Sequence, residues 1–476
     1  ILLALLAIVA VITVIVSGTS GGAVTAARLS DFCTAPILGF ADALPVCLFV
    51  MILGGFLGMM TETGALDNGI AVLVQKLKGN EIMLIPVLML IFSLGGTTYG
   101  MCEETVPFYA LLAATMMAAG FDPMVGAATV LLGAGCGCLG STVNPFAVGA
   151  AVDALTGVDI AVNQSIIIGL GAVLWIVTTT MSIVFVMNYA KKVKADKGST
   201  ILSMQELKDA EEAHGKAASE VHKEVKLTGR QKGVLIAFAF TFVVMIVGFI
   251  PLADLNEGVA NFFDAGAVYD ADGNTVVQGW SALITGLPIG QWYFDEASTW
   301  FFLMAILIGI IGGLSEKQIV NTFITGAADM MSVVLVIALA RGISVLMANT
   351  GLDVYVLDAA ANALAGLSGV IFAPMSFLVY FGLSFLIPST SGMATVSMPI
   401  MGPLAVKLGF SPEVMVMIFS AAIGVVNLFT PTSGAIMGGL ALAKIEWTTW
   451  LKFALKLIVA LSVVCAIILT VACVLI

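Results

Sequence analysis

Histidine is almost missing from this chain. There are two in 476 residues, His214 and His222, and both fall in one charged loop. No histidine-based nucleophile, haem ligand or zinc site is therefore available in the apolar segments. Charge is scarce as well, with Asp, Glu, Lys and Arg making up 10% of the chain. The bases never form a patch interleaved with aromatics, which excludes nucleic-acid binding. Seven cysteines are scattered through apolar runs without a Cys-x-x-Cys pair. They read as small buried hydrophobes, and Cys136 with Cys138 is too little for a metal site. No nucleotide-binding loop occurs, so direct ATP drive is not encoded here.

What is present is apolar. Sixty per cent of residues are hydrophobic and the mean hydropathy is +1.10. A soluble fold cannot hide that much apolar surface, so lipid covers part of it. The 50 glycines suit closely packed membrane helices with breaks. Apolar runs near the length that crosses about 30 Å of hydrocarbon occur at about 1–17, 41–61, 165–190, 231–252, 300–314, 327–350 and 449–474. The chain opens inside the first run, at Ile1-Leu2-Leu3-Ala4, with no charged stretch before it. The expectation is a missing N-terminal segment rather than a cleaved signal peptide.

Charge sets an orientation. Ten of the 19 basic residues fall between Lys191 and Lys232, whereas 253–299 has none and holds seven acids. The positive-inside rule then puts 191–230 in the cytoplasm, as a helix-prone solvated linker, and 253–299 outside. Lys76, Lys78, Lys317, Lys444, Lys452 and Lys456 fall inside on the same path.

Four stretches interrupt the apolar runs: Gly95–Glu104, Gly140–Pro145, Pro388–Thr395 and Thr430–Gly434. Each sets Gly or Pro beside hydroxyl or amide groups. Broken backbone at membrane depth must be buried in protein or face a wet cavity, because lipid satisfies neither N–H nor C=O. The breaks are paired. Gly100-Met101 and Gly392-Met393 are 292 positions apart. Gly120-Phe121-Asp122-Pro123 and Gly409-Phe410-Ser411-Pro412 are 289 apart, as are Ser141–Asn144 and Thr430–Ser433. Upstream, Glu62–Asp67 answers Asn349–Asp353.

This is an internal duplication of roughly 150 residues. On the charge-derived path its copies are inverted. The expected fold is an all-α polytopic membrane protein, an inverted-repeat secondary transporter with two re-entrant hairpins and two broken helices. The first repeat covers 1–190, with a hairpin at about 80–119 and a broken helix at about 124–157. The linker 191–230, an extra span 231–252 and the acidic loop 253–299 follow. The second repeat covers 300–476, with a hairpin at about 369–408 and a broken helix at about 412–443.

Ionisable side chains inside such spans are functional candidates. Glu103 and Glu104 follow the first tip, and Arg341 sits within Val334–Met347. The duplication aligns the acids with Thr395 and Val396 and the base with Gly54–Gly55, so the two signs were placed in different halves. Arg341 either grips a substrate carboxylate with its planar fork or pairs with a glutamate or helix-end carbonyls. Glu103 or Glu104 meets an ammonium or guanidinium, or carries a proton. Neighbours on a helix point about 100° apart, which leaves room for one of them to be structural. Hydroxyls and freed carbonyls suit Na⁺ near Ser141, Thr142, Asn144, Thr430, Thr432 and Ser433. Their competing role is to satisfy the freed backbone locally. Half-helices starting after the breaks offer positive ends to a carboxylate. Asp67 and Asp353 read as helix caps, and Met116 with Met117 as packing. Neither an enzyme constellation nor the continuous polar path of a passive channel is visible.

The motifs Thr63-Gly64-Ala65-Leu66-Asp67, Gly95–Pro107, Gly140–Pro145, Arg341-Gly342 and Pro388–Pro399 resemble the C4-dicarboxylate anaerobic carrier (DcuC-like) family. The nearest branch is the YfcC-type carriers, labelled as basic amino acid antiporters. The resemblance covers nearly the whole chain except 191–230 and 253–299. It implies the plan of the ion-transporter superfamily: two hairpins, two unwound helices, a homodimer, and an elevator motion of a transport segment against a scaffold. It also implies that the tips Thr97–Glu104 and Ser389–Thr395 line the site. Thr97, Thr98, Tyr99, Ser389, Thr390 and Ser391 thereby join Glu103, Glu104, Asn144, Arg341, Thr432 and Ser433 as substrate-binding candidates. The superfamily's dicarboxylate symporters hold carboxylates on neutral Ser-Asn-Thr tips, whereas one tip here carries two acids.

The expected function is a secondary active carrier or antiporter in the cytoplasmic (inner) membrane. Its substrate is a small carboxylate-bearing metabolite, favoured an amino acid with a basic side chain, with Na⁺ or H⁺ coupling. A C4-dicarboxylate or other organic-anion carrier is the alternative, and it predicts that Glu103 and Glu104 face away from the cavity.

Overall fold

The computed structural model describes residues 2–66, 68, 69, 72, 80–220, 226–250, 252, 257–270 and 275–476. Asp67, Lys76, Lys78, His222 and Lys223 lie outside the described residues. Helix accounts for nearly everything described. One short antiparallel pair, β1 (Val268–Tyr269) and β2 (Thr275–Val277), sits in the acidic loop.

Among the described residues, eight helices are long and apolar enough to cross a membrane. Six fall on expected runs: α3 (Leu44–Glu62), α8 (Gln164–Ala195), α10 (Gly229–Phe249), α12 (Phe294–Gly312), α14 (Met331–Thr350) and α20 (Trp447–Leu475). The shorter α1 (Leu2–Ser17) occupies the first run. The other two are first arms of the stretches expected as hairpins: α4 (Leu84–Tyr99) with its leading turn, and α16 (Gly369–Leu386). An arm of that length reaches about 27 Å, nearly the full hydrocarbon depth. The second arms are α5 (Val106–Ala118) and α17 (Thr390–Lys407).

Both expected broken helices are broken. The first runs as α6 (Pro123–Leu139), loses its helix at Gly140, and resumes through a π-turn (Pro145–Gly149) into α7 (Ala150–Thr156). The second runs as α18 (Pro412–Val426), an irregular stretch, and α19 (Gly434–Leu442). Their starts follow from local chemistry. Asp122 and Ser411 accept from Val125 N and Val414 N, and Pro123 and Pro412 stand in the first turn, where a missing N–H costs nothing.

Sequence reading missed one repeated element. α2 (Leu29–Asp42) and α13 (Glu316–Asp329) each have 14 residues, end on aspartate, and lead at once into α3 and α14. α2 packs on α14, and α13 packs on α3. Glycines permit both crossings. A Cβ on Gly39 would lie 2.3 Å from Gly342 N, and one on Gly326 would lie 2.4 Å from Gly54 O. Polar residues in α2 and α13 hid these helices from a hydropathy search.

The basic linker contains α9 (Met204–Glu220), a helix as expected, but it is not wholly solvated. Ala210 is fully buried, and His214 Nε2 lies 3.0 Å from Leu442 O at the end of α19. Glu206 Oε1 accepts from Glu446 N at 2.9 Å. The linker therefore docks one face on α5 of the first half and on the end of the second broken helix.

Candidate functional site

All four interruptions meet at one cavity of about 390 Å³. Its wall takes Gly100 and Cys102–Glu104 from the first tip, and Pro388–Ser391 from the second. The breaks contribute Asn144–Ala147 and Thr432–Gly434, and α2 and α14 add Asp42, Ile337, Ala340 and Arg341. Tyr293 and Phe294, at the end of the acidic loop, complete it.

The tips reach this point because their glycines allow it. Gly100 ends α4 at φ +80, a left-handed conformation. A Cβ there would also lie 2.5 Å from Asn144 Oδ1, so the tip and the first break can touch only through glycine. Below the tip, Thr97 Oγ1 donates to Gly140 O at 2.7 Å, and Thr142 Oγ1 donates to Thr97 O at 3.0 Å. Carbonyls freed by the break thus find partners in the neighbouring hairpin arm.

Several expected ligands have local work of this kind. Asn144 Oδ1 accepts from Phe146 N and Ala147 N, and its Nδ2 donates to Ser141 Oγ at 2.9 Å. Ser141 Oγ donates to Cys138 O, and Thr430 Oγ1 lies 2.7 Å from Thr432 Oγ1. Thr98 Oγ1 donates to Leu94 O. Tyr99 is fully buried with its ring against Phe249, centroids 5.5 Å apart. Thr97, Thr98, Tyr99, Ser141, Thr142 and Thr430 are outside the cavity wall. Glu103, Glu104, Asn144, Arg341, Ser389, Thr390, Ser391, Thr432 and Ser433 are in it. Among the described residues no cluster of three His, Cys, Asp or Glu forms a metal site.

The charges in the wall carry the chemistry. Arg341 Nε lies 3.6 Å from Asp42 Oδ2. Glu104 folds back on its own turn, its Oε2 accepting from Cys102 N at 2.9 Å, and is almost completely buried. Glu103 lines the cavity without that hydrogen bond and is half-buried. Asp153, from α7, joins them. Among the described residues the wall thus holds four acids, Asp42, Glu103, Glu104 and Asp153, against one base, Arg341. Positive dipole ends balance part of this. α17 starts after Ser389 and α19 after Ser433, both in the wall, and the Ser433 hydroxyl makes no capping bond.

Sequence reading missed Asp42, Asp153, Ser420 and Asn427, all in the wall. Ser420 is fully buried, with no hydrogen-bond partner for its hydroxyl. A signal for Asp42 existed: Asp42 and Asp329 are 287 positions apart, as are Gly54 and Arg341.

Residues 17–474 match the model of a family described as the C4-dicarboxylate anaerobic carrier. The chain is similar to an uncharacterized protein of Haemophilus influenzae, 29% identical over 445 residues, or 93% of this chain and 78% of that protein. It is also similar to the Escherichia coli protein named "Putative basic amino acid antiporter YfcC", 28% identical over 424 residues, covering 87% and 74% of the two. Among solved structures, it is similar to Neisseria gonorrhoeae MtrF, from a class of antimetabolite efflux pumps. That match has TM-score 0.44 at 18% identity, covering 94% of this chain and 85% of MtrF. Similarity to the Alcanivorax borkumensis YdaH transporter has TM-score 0.46 at 16% identity, over 93% and 88%.

Proposed function

The chain belongs to the C4-dicarboxylate anaerobic carrier family and is a multi-pass membrane transporter, and we propose that it is a secondary active antiporter of an amino acid with a cationic side chain. One observation carries this reading: a convergence of four helix breaks on one cavity whose described wall has both signs of charge, with acids in excess. Arg341 and the starts of α17 and α19 receive the substrate carboxylate. Glu103 faces the ammonium or guanidinium, and Glu104 holds the tip in shape. Four acids would repel a dianion, which disfavours the C4-dicarboxylate alternative suggested by the family's description.

The protein acts in the cytoplasmic membrane with 191–230 inside, as the basic linker supports. The two halves lie inverted across the bilayer, and the family resemblance supports a homodimer with an elevator motion. Coupling, to Na⁺ or H⁺, involves the break hydroxyls of Ser141, Thr142, Thr430 and Thr432 and the amide of Asn144. The test is proteoliposome exchange. Vesicles preloaded with arginine, ornithine, neutral amino acids, succinate or fumarate are assayed for counterflow under imposed Na⁺ or proton gradients. Counterflow with arginine or ornithine is expected. Exchange confined to succinate and fumarate would overturn the reading.

A further inference from the structure

A second cavity, of about 670 Å³, lies between α3, α13 and α5. Leu442 and the docked linker residue His214 also line it, so it lies toward the linker side. Its wall contains Asp329 and Gly54. These are the duplication counterparts of Asp42 and Arg341, the ion pair of the first cavity. The same structural position thus has the acid but not the arginine. Packing excludes an arginine there: a Cβ on Gly54 would lie 2.4 Å from Gly326 O, where α3 crosses α13. Asp329 is exposed to the cavity and has no ion pair among the described residues. Glu62 is the second acid in the wall, and among the described residues neither Lys nor Arg lines it.

We propose that this cavity is a cation-selecting site on the linker-side half of the substrate route, with Asp329 as the carboxylate that receives an ammonium or guanidinium group. The inference rests on the antiporter reading for the direction of travel, but not for the charge preference. In the first cavity Arg341 shields Asp42 and completes a site for a zwitterion. In the second, the unshielded acid favours the cationic end alone. A solute moving between them exchanges one set of contacts for the other. The carboxylate finds no Lys or Arg among the described residues of this wall, which aids its departure.

Thiol reagents test the preference without any transport assay. Thr325→Cys and Asn321→Cys each place a thiol in the wall of the second cavity. In vesicles exposing the linker side, a cationic methanethiosulfonate should label either thiol on the order of tenfold faster than an anionic one, above the parent protein's background. Adding Asp329→Asn should bring the two rates near parity, while the reagents label poorly from the opposite side. Equal rates in the Asp329 protein, or labelling only from the opposite side, overturn the proposal. In the same vesicles, Asp329→Asn should raise the linker-side KM for arginine about fivefold and leave the opposite-side KM unchanged. An equal change on both sides also counts against a second site. Absent wild-type exchange alongside intact cationic labelling refutes the antiporter assignment alone.

Discussion

Arg341 on α14 meets Asp42, the last residue of α2, with Nε and Oδ2 3.6 Å apart. The two side chains remain 25% and 50% exposed, so the pair is solvated and contributes little to folding, about 1 kcal/mol or less. Arg341→Ala should therefore leave the melting temperature nearly unchanged. Substrate exchange should fall by about a hundredfold or more, because a charge-assisted carboxylate contact is lost. Lysine should rescue poorly, since it lacks the planar fork. Detergent thermal melts beside proteoliposome counterflow make the comparison, and a collapse of both would assign Arg341 to the scaffold.

The neighbouring glutamates should separate in the same assays. Glu104 accepts from Cys102 N inside a buried turn. Glu104→Ala leaves that N–H orphaned and should destabilise the protein by about 1–3 kcal/mol. Glu103→Gln should fold normally and lose about tenfold of the preference for arginine over a neutral amino acid. A loss of stability in Glu103→Gln with unchanged selectivity would reverse the two roles.

Close packing of the first hairpin arm on its broken helix sets a third expectation. A Cβ on Gly96 would lie 2.2 Å from Ala134 O, and one on Gly137 would lie 2.2 Å from Ser93 O. Either alanine substitution should reduce the yield of monodisperse protein sharply. Gly169→Ala on α8 meets nothing within 4 Å and should be neutral or slightly stabilising. Size-exclusion profiles of the three variants decide this.

Acid should loosen the linker. Burial, with Lys444 nearby, holds the His214 imidazole below its ordinary pKa, while its hydrogen bond to Leu442 O opposes that shift. The docked state therefore favours neutral histidine. Docking is complete above the ordinary value and weakens as pH falls through the lowered one. Hydrogen exchange over 204–220, corrected for the intrinsic rate, should be flat above the ordinary pKa of 6.5 and accelerate as pH falls below it. In His214→Gln that acceleration, corrected for intrinsic exchange, should be absent.

Much of this architecture was legible beforehand, but unevenly. The long apolar helices follow from composition. The four breaks follow from Gly, Pro and hydroxyl clusters, and the structure brings all four to one cavity. α2 and α13 escaped notice because Asp31, Glu316, Lys317 and Asn321 break their apolar runs, although the helices repeat with equal length. Hydroxyls expected as ligands proved harder to judge. Ser141, Asn144 and Thr430 have hydrogen-bond partners beside them, and only packing reveals which freed backbone groups they meet.

By itself the order of residues determined that this chain lives in lipid, where its helices break, and that its halves repeat. Those properties are local or periodic: hydrocarbon tolerates only satisfied backbone, and a duplication preserves spacing. Tertiary structure alone decided that Arg341 pairs with Asp42 and that Asp329 faces a second cavity with no ion pair among the described residues. Both outcomes depend on how closely two glycine-lined helix pairs approach, and that distance is a property of packed surfaces in contact.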